Sequence, residues 1–367
     1  MIKIKSPGRI CLFGEHQDYL SFPVISMAIS RYIYLLASKI SEKKFLINLP
    51  DIDQNFEIGL NNKELEYNSN RDYIKSGYNQ FIRRNIRFNH GYKIQISGDI
   101  PINAGVASSS ALVIAWLYFL NLISNQKVNN HNLALMGYFS EVSEFNESGG
   151  MMDHFNASYG NIIYLKPSIQ NPDLINYDLI LDGFVLGDSM IKKDTVDDLR
   201  KVKEASLISI ELMKQSMPGF NQFRTKLEDI KPYLPNLNKT YQKKIIGILI
   251  SRDLTNEAKN LIDTNIKLLN RKNNVDKLNQ FYKKLGSLMN MHQDQLREKI
   301  GVSIDKIDNM ISKCKDVGAY GGKINGSGFG GTMFTLFPNN QNKLVEAIEA
   351  CDGRAYIINT SKGVGTY

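Results

Sequence analysis

The sequence predicts a globular protein of the mixed α/β (α+β) class with two domains. At 367 residues, the chain is about twice as long as a typical domain of roughly 150 residues. Short β-rich runs dominate its first part, whereas from about Asp188 onward it is mostly helical. Hydrophobic residues make up 43% and charged residues 22%, values that are typical of folded domains and exclude wholesale disorder.

The first part of the chain combines predicted strands with one apolar helix. Residues 2–4, 10–13, 32–37 and 92–96 are β-rich, and the last of these runs alternates apolar and polar residues as a half-buried strand does. Residues 103–110, Asn-Ala-Gly-Val-Ala-Ser-Ser-Ser, form a predicted loop with possible N-cap hydroxyls. Residues 111–123 then form a continuous apolar helix, which is too short for the roughly 20 residues of a membrane span. We therefore expect it in the core.

The second part is predicted to be helical until close to its end. Leu278, Phe281, Leu285 and Leu288 stand at spacings of three and four, the pattern of an amphipathic helix. Residues 326–331, Gly-Ser-Gly-Phe-Gly-Gly, run directly into a strand-like segment at 332–337. We place the domain boundary near residues 180–188, which gives domains of 1–185 and 186–367.

Charge and cysteine content exclude several classes of protein. A net charge of +8 permits an anionic substrate such as a nucleotide, but the basic residues are spread along the chain, so nucleic-acid binding is not predicted. The densest basic cluster, Arg83, Arg84 and Arg87, is expected to be a solvated helix face. Three distant cysteines without a CxxC pair predict neither a disulfide framework nor a structural zinc site. With no signal-peptide pattern at the N-terminus, we expect a cytoplasmic protein without membrane association. No protein partner is predicted.

Two glycine-bearing segments could bind phosphate. Residues 326–331 satisfy G-x-G-x-x-G, but a dinucleotide fingerprint needs a following helix, so this segment taken alone reads as a tight turn. Residues 101–110 place small residues before a helix N-terminus, where backbone amides can approach an anion and a serine hydroxyl can reach a metal. An ordinary serine-capped helix is the alternative.

Charged residues cluster in two further segments. Residues 6–19 place Arg9, Glu15, His16 and Asp18 around an apolar strand, an arrangement that suits a polar ligand. Asp153 stands in Gly-Gly-Met-Met-Asp-His at 149–154, where on its own it reads as a helix N-cap.

Taken together and in order, these segments resemble a known family. Arg-Ile-Cys-Leu-Phe-Gly-Glu-His-Gln-Asp-Tyr at 9–19 is followed by Pro-Ile-Asn-Ala-Gly-Val-Ala-Ser-Ser-Ser at 101–110. Gly-Met-Met-Asp-His-Phe at 150–155 and Lys-Ile-Asn-Gly-Ser-Gly-Phe-Gly-Gly at 323–331 complete the set. The chain resembles the GHMP kinases over nearly its whole length, and within them the galactokinases most closely. This resemblance implies an N-terminal domain like domain 2 of ribosomal protein S5, a C-terminal ferredoxin-like domain, and an active site in the cleft between them.

The resemblance also implies where ATP and magnesium would bind. By their positions in the second motif, Gly105, Ser108 and Ser109 would wrap the ATP phosphates, and Ser109 would bind Mg²⁺. The family's acidic magnesium ligand precedes the catalytic aspartate by twelve positions, which gives Glu141. Glu144 is the nearby competitor.

The same resemblance implies the catalytic and substrate-binding residues. Asp153 matches the catalytic aspartate and Arg9 its charged neighbour. Glu15, His16 and Asp18 match residues that hold sugar hydroxyls. A carboxylate near the acceptor hydroxyl can take its proton as attack proceeds, and an adjacent arginine keeps that carboxylate ionised.

Several positions depart from the galactokinase pattern. Cys11 replaces an asparagine, and Leu-Ser-Phe at 20–22 replaces Asn-Gly-Gly. The segment 188–195 is not followed by the tyrosine that contacts galactose in the family, so we predict that galactose is not the best substrate. In the second motif, Asn103 and Val106 replace the usual glycine and leucine.

The leading hypothesis is an ATP- and magnesium-dependent kinase that phosphorylates a monosaccharide at its anomeric (C1) hydroxyl. Galactose, a uronic acid or a related hexose are the candidate acceptors. A mevalonate-type kinase is the first alternative, suggested by Leu-Phe-Gly-Glu-His at 12–16, and a non-catalytic sugar-binding regulator on the same scaffold is the second. The pair Asp18 and Tyr19 favours the sugar branch, and the presence of Asp153, Ser109 and Glu141 favours a catalyst.

Overall fold

The computed structural model describes residues 1–102, 104–191 and 195–367. Within these residues the strands form one sheet of eight strands and one of four. The strands and helices of the first part are β1 (Ile2–Phe13), β2 (Val24–Ile40), β3 (Lys44–Leu49), β4 (Gln54–Gly59), α1 (Tyr73–Ile82), β5 (Gly91–Gly98), α2 (Ser108–Ile123), α3 (Asn130–Tyr138), α4 (Met152–Tyr159), β6 (Ile162–Lys166) and β7 (Asp173–Tyr177).

The second part begins with a strand and continues with long helices. Its elements are β8 (Phe184–Asp188), α5 (Thr195–Ser216), α6 (Leu227–Ile230), α7 (Lys239–Arg271), α8 (Val275–Gln295), α9 (Asp305–Asp316), β9 (Gly321–Asn325), β10 (Thr332–Leu336), α10 (Gln341–Glu349), β11 (Arg354–Ile358) and β12 (Gly365–Thr366). Short 3₁₀ turns lie at Asp18–Leu20, Pro50–Ile52 and Lys231–Asn236, and π-helical turns at Phe139–Ser143 and Leu296–Ile300.

The larger sheet is organised around the long strand β2. The strand order is β12-β1-β2-β5-β3-β4, and β6 and β7 branch from β2. The beginning of β2 pairs with β6 and its end with β5, so one strand of 17 residues serves both branches. Of the pairs in this sheet, β3 and β5 run parallel and the others antiparallel.

Helix α2 packs on β1 and β2 and fills the core of the larger sheet's domain. Trp116 is fully buried, and its indole Nε1 donates a hydrogen bond of 2.9 Å to the carbonyl of Ile74. The N-cap of α2 is Ala107, whose φ of 61° is left-handed and whose side chain makes no cap. The serine-capped helix considered above is therefore wrong, because Ser108 is already the first residue of the helix.

The four-stranded sheet has the ferredoxin-like order. Its strands lie in the order β11-β8-β10-β9, and all three pairs are antiparallel. Along the chain, β8, β9, β10 and β11 are the first to fourth strands of this domain, so their spatial order is 4-1-3-2. Helices connect the first strand to the second and the third to the fourth. The predicted two-domain fold is confirmed.

The last strand returns to the first sheet. β8 begins at Phe184 and belongs to the four-stranded sheet, whereas β12 pairs with β1 in the larger one. The division into 1–185 and 186–367 stays a prediction, and β8 spans it. Of the helices that the structure describes, none is long and apolar enough to cross a membrane.

Most predicted elements lie where the sequence placed them. The runs 2–4 and 10–13 belong to one continuous strand, β1, and 32–37 and 92–96 lie in β2 and β5. The apolar helix lies in α2 and the amphipathic one in α8. Arg83, Arg84 and Arg87 are exposed as expected, but they do not form a helix face, because α1 ends at Ile82. Arg83 also forms ion pairs with Glu64 and Glu144.

Candidate active site

The residues singled out from the sequence line two adjoining cavities. The larger cavity has a volume of about 880 Å³ and the smaller one about 130 Å³. The larger cavity alone is lined by Gly105, Ser108 and Ser109, and the smaller one alone by Glu15, His16 and Asp18. Both cavities are lined by Arg9, Glu141 and Asp153. The fold thus brings together residues from β1, α2, α4 and the turns that flank them.

Arg9 and Asp153 meet where the two cavities join. Arg9, on β1, donates from Nε to Asp153 Oδ1 at 2.6 Å and from Nη2 to Oδ2 at 2.8 Å, and its Nη1 donates to the carbonyl of Gly105 at 2.6 Å. Burial alone would lower the pKa of Arg9, but the Asp153 carboxylate raises it. The N-cap of α4 is Met151, so Asp153 lies inside the first helical turn and its interpretation as an N-cap is wrong.

The loop before α2 lies against the glycine-rich loop after β9. Gly105 has a φ of 82°, and a Cβ on Gly326 would lie only 2.7 Å from the Gly105 carbonyl oxygen. Asn325 Nδ2 donates to that carbonyl at 2.9 Å, and Thr332 Oγ1 donates to the carbonyl of Ala104 at 2.8 Å. The glycine-rich segment is therefore more than a local turn, because it supports the loop that leads into α2. Asn103 lies outside the described residues.

The N-terminal turn of α2 forms part of the wall of the larger cavity. Ala107, Ser108 and Ser109 all line it, together with Gly105. The first amides of a helix have no partner within the helix, and the helix dipole adds a partial positive charge there. This wall is therefore suited to phosphate groups.

Glu141 is buried and ionised beside the helix start. It lies in the π-helical turn Phe139–Ser143, and His154 Nε2 lies 2.7 Å from its Oε2. Burial alone would raise the pKa of Glu141, but hydrogen bonds from His154, Ser109 and Ser110 lower it. An ionised carboxylate beside a serine hydroxyl on the cavity wall offers two oxygen ligands of the kind that Mg²⁺ prefers.

Glu144, the alternative candidate for the magnesium ligand, is bound by side chains away from the two cavities. Its carboxylate accepts hydrogen bonds from Arg83 at 2.7 and 2.8 Å and from the Tyr67 hydroxyl at 2.6 Å. It lines neither of the two cavities. Within the described residues, no group of three or more His, Cys, Asp or Glu side chains could hold a metal. A nucleotide-bound Mg²⁺ commonly uses only one or two carboxylates with the phosphates, so Glu141 and Ser109 fit that role.

Asp18 projects into the smaller cavity against the loop that precedes α4. The backbone N–H of Tyr19 donates to Asp18 Oδ1 at 2.9 Å. A Cβ on Gly150 would lie 2.0 Å from Asp18 Oδ2, so the side chain needs a glycine there. Burial and the nearby charge of Asp153 raise the pKa of Asp18 to about 6.

Glu15 and His16 line the smaller cavity and also contact other side chains. Lys323 Nζ donates to Glu15 Oε2 at 2.6 Å, and the N–H of Gly326 donates to Oε1 at 2.5 Å. The Glu15 carboxylate thus binds both β9, through Lys323, and the glycine-rich loop, through Gly326, and direct contact of Glu15 with a sugar stays a prediction. His16 Nδ1 lies 2.9 Å from the Tyr19 hydroxyl.

Two residues of this site were missed by the sequence reasoning. Lys323 is fully buried and donates to the carbonyls of Cys11 and Ile324 as well as to Glu15. His154 holds Glu141. Both lie within the motifs quoted above, at 150–155 and 323–331, so their proximity in sequence to Asp153 and to the glycines was the available signal.

The departures from the galactokinase pattern lie mostly in packing positions. Cys11 is fully buried, and its Sγ lies 3.2 Å from the carbonyl oxygen of Phe13. Leu20 and Phe22 are buried against the helices of the second part, where Phe22 contacts the ring of Phe223. None of these side chains lines the smaller cavity. The segment expected to precede the missing tyrosine falls partly on residues 192–194, outside the described residues.

Three models of known protein families match this chain, and their matched ranges include the predicted site residues that line the two cavities described above. The galactokinase galactose-binding signature matches residues 2–39, the GHMP kinases N-terminal domain matches 72–161, and the GHMP kinases C-terminal model matches 272–353. The chain belongs to the GHMP kinase superfamily. It is therefore an ATP-dependent kinase, and the predicted resemblance is confirmed.

Individual relatives of this GHMP kinase include two enzyme types. A mevalonate kinase of Pyrococcus furiosus is 27% identical over 97% of this chain and 95% of the relative. A galactokinase of the same organism is 24% identical over 99% of both chains. A galactokinase of Thermotoga maritima is 26% identical over 94% of this chain and 93% of the relative.

Solved structures share the fold over the full length of this GHMP kinase. Lactococcus lactis galactokinase complexed with galactose superposes with a TM-score of 0.84 at 19% identity, covering 100% of this chain and 95% of that one. Methanococcus jannaschii mevalonate kinase superposes with a TM-score of 0.68 at 19% identity, covering 98% of both chains.

Proposed function

We propose that this GHMP kinase transfers the γ-phosphoryl group of ATP to a monosaccharide, at the anomeric (C1) hydroxyl. The observation that carries the proposal is the smaller cavity itself. It presents the Asp18 carboxylate beside the Arg9–Asp153 ion pair, in a space of about 130 Å³ that opens beside the larger cavity. A small acceptor rich in hydroxyl groups suits this combination of size and hydrogen-bond acceptors.

ATP binds in the larger cavity, with its phosphates at the wall formed by Gly105, Ser108 and Ser109. Glu141 and Ser109 would hold the magnesium ion. When bound, Mg²⁺ neutralises charge on the phosphates. The amides at the start of α2 add to that stabilisation without any covalent chemistry.

Asp153 takes the proton of the acceptor hydroxyl as that oxygen attacks the γ-phosphorus, and the bond from the γ-phosphorus to the β–γ bridging oxygen breaks to release ADP. Two hydrogen bonds from Arg9 fix the orientation of its carboxylate and favour its charged form. The same guanidinium donates to the Gly105 carbonyl, which ties the proton acceptor to the phosphate-binding loop. This arrangement supports a catalyst rather than a non-catalytic sugar-binding regulator.

Asp18 recognises the acceptor by accepting hydrogen bonds from neighbouring hydroxyl groups. Mevalonate offers no such vicinal pair. The galactokinase galactose-binding signature over residues 2–39 supports the sugar branch, since it includes both Arg9 and Asp18. The absence, after segment 188–195, of the tyrosine that contacts galactose in the family is the reason we do not propose galactose as the best acceptor.

A mevalonate-type kinase is the second candidate, because a mevalonate kinase of Pyrococcus furiosus is 27% identical over nearly the whole chain. Measurement of ATP consumption with a panel of free monosaccharides, sugar acids and mevalonate distinguishes a sugar kinase from a mevalonate-type kinase. We expect turnover with at least one sugar and none with mevalonate. Phosphorylation of mevalonate and of no sugar would replace the proposal by the second candidate.

The variant Asp18→Ala sharpens this test. Loss of a matched hydroxyl partner should lower kcat/KM for the sugar by about 10²- to 10⁴-fold. The KM for ATP should change little, because Asp18 lines only the smaller cavity. A sugar kinase whose kcat/KM is insensitive to Asp18 would refute this role.

A further inference from the structure

A lysine stands beside the smaller cavity and has no part in the chemistry described so far. Lys203 lies on α5 four residues after Leu199, which lines both cavities. Residues four apart share a helix face, so Lys203 lies on the face of α5 that carries Leu199, next to the cavities but not in their lining. Its Nζ lies 5.7 Å from the centre of the Tyr19 ring and 3.5 Å from the carbonyl oxygen of Ser148.

The ammonium group is partly buried without a close countercharge. Within the part of the chain that the structure describes, no carboxylate lies within 4.0 Å of it. Burial lowers the pKa of Lys203, and the charge of Asp18 partly offsets this. Burying a cation without an opposite charge nearby costs free energy, and a negatively charged ligand beside it would reduce that cost.

Its position relative to Asp18 and Asp153 indicates where such a ligand charge would lie. Asp18 is the carboxylate whose charge acts on Lys203, whereas Asp153 lies at the junction of the two cavities. Tyr19 lines the smaller cavity and the centre of its ring lies 5.7 Å from the Lys203 Nζ, so Lys203 is on the Tyr19 side of that cavity. Asp153 and Tyr19 both line the smaller cavity, so an acceptor whose reacting hydroxyl faces Asp153 can also contact the Tyr19 wall, beside which the Lys203 ammonium lies.

We propose that Lys203 binds a carboxylate group of the acceptor, which makes a sugar acid the preferred substrate class. The inference rests on the proposed sugar-kinase function and deepens it. A carboxylate carries one negative charge, whereas a phosphate monoester carries about −1.5 to −2. The cavity already holds Asp18 and Asp153, so the smaller charge is the one that Lys203 can balance.

The test compares kcat/KM for matched pairs of acceptors: galacturonate with galactose, glucuronate with glucose, and mannuronate with mannose. The wild type should favour the acid of at least one pair by about 10- to 100-fold, the scale of one charge-assisted hydrogen bond. Lys203→Met and Lys203→Gln should bring that ratio close to one. Lys201→Met is the control, because Lys201 is an exposed lysine of the same helix; it should keep the wild-type ratio.

Other outcomes are equally informative. If neutral hexoses are the better substrates and Lys203→Gln does not alter the ratio, the inference is overturned while the sugar-kinase function stands. If hexose 6-phosphates outperform the acids and depend on Lys203, the carboxylate is the wrong anion. If the wild type phosphorylates no sugar, neutral or acidic, the proposed function itself fails.

Discussion

His154 Nε2 lies 2.7 Å from Glu141 Oε2, and both side chains are buried. His154 directly follows Asp153 in α4, so one helical turn carries the proposed proton acceptor and the residue that contacts the proposed metal ligand. This contact links the proposed metal ligand, Glu141, to the helix that carries Asp153. It also explains why the carboxylate at 141, rather than that at 144, faces the larger cavity.

The first prediction concerns magnesium. Glu141→Gln and Ser109→Ala should each raise the Mg²⁺ concentration needed for half-maximal activity. His154→Ala should raise it by about 10- to 100-fold, the usual cost of losing a residue that orients a metal ligand. Calorimetric titration of ATP at a series of Mg²⁺ concentrations provides a second readout that does not depend on turnover.

Glu144→Gln is the matched control for this prediction. Glu144 is held by Arg83 and Tyr67, so its loss should leave the magnesium requirement unchanged. A shift with Glu144→Gln and none with Glu141→Gln would move the metal ligand one helical turn along the chain.

The second prediction concerns the chemical step. Asp153→Asn preserves the size of the side chain but removes the proton acceptor, so kcat should fall by about 10²-fold or more. Nucleotide binding, followed by calorimetry, and the circular dichroism spectrum should be retained. Near-normal kcat in a folded Asp153→Asn enzyme would show that another group accepts the proton.

The third prediction concerns pH and stability. The native state holds the Asp18 proton more tightly than the unfolded chain does, since its pKa is about 6 against an ordinary value of 3.8. The free energy of unfolding should therefore fall by up to about 3 kcal/mol as pH rises from 4 to 6, at about 1.36 kcal/mol per pKa unit. Above pH 6 it should level off.

Asp18→Asn removes this titration. Urea unfolding of both proteins at pH 4.5 and pH 7 should show the variant gaining stability relative to the wild type at the higher pH. A difference in stability that is the same at both pH values would mean that Asp18 titrates normally in the folded protein.

The fourth prediction uses two adjacent glycines. A Cβ at Gly150 would lie 2.0 Å from Asp18 Oδ2, whereas one at Gly149 would meet only Val142 Cγ2, at 3.4 Å. Gly150→Ala should displace Asp18 and raise the KM for the acceptor, with the KM for ATP little changed. Gly149→Ala should resemble the wild type. Equal effects of the two substitutions on acceptor KM would argue that Asp18 does not need its present position.

Much of this site could be predicted because its residues occur in motifs of fixed order. Asp153 is far from Arg9 and Asp18 in sequence, and only the resemblance placed the three residues together. Local rules failed where the backbone is unusual. Serine hydroxyls favour N-caps, yet Ala107 takes the left-handed conformation there, and the serines are free to line the larger cavity.

Long-range contacts could not be predicted from the sequence. Lys323 and Glu15 are 308 positions apart, and a buried lysine carries no periodic or compositional signal. Removing one partner of such a buried pair typically costs about 3 to 5 kcal/mol. Lys203 lies in a helix without any motif, so only its position beside Tyr19 and Leu199 makes it notable.

The central claim is that the smaller cavity takes a sugar and presents its anomeric hydroxyl to Asp153. The most direct test is a competition in which limiting ATP meets an equimolar mixture of monosaccharides, sugar acids and mevalonate, with the products resolved by phosphorus NMR. We predict a sugar 1-phosphate as the main product, absent with Asp153→Asn. Mevalonate phosphate, or a sugar phosphorylated on its primary hydroxyl, would contradict the account.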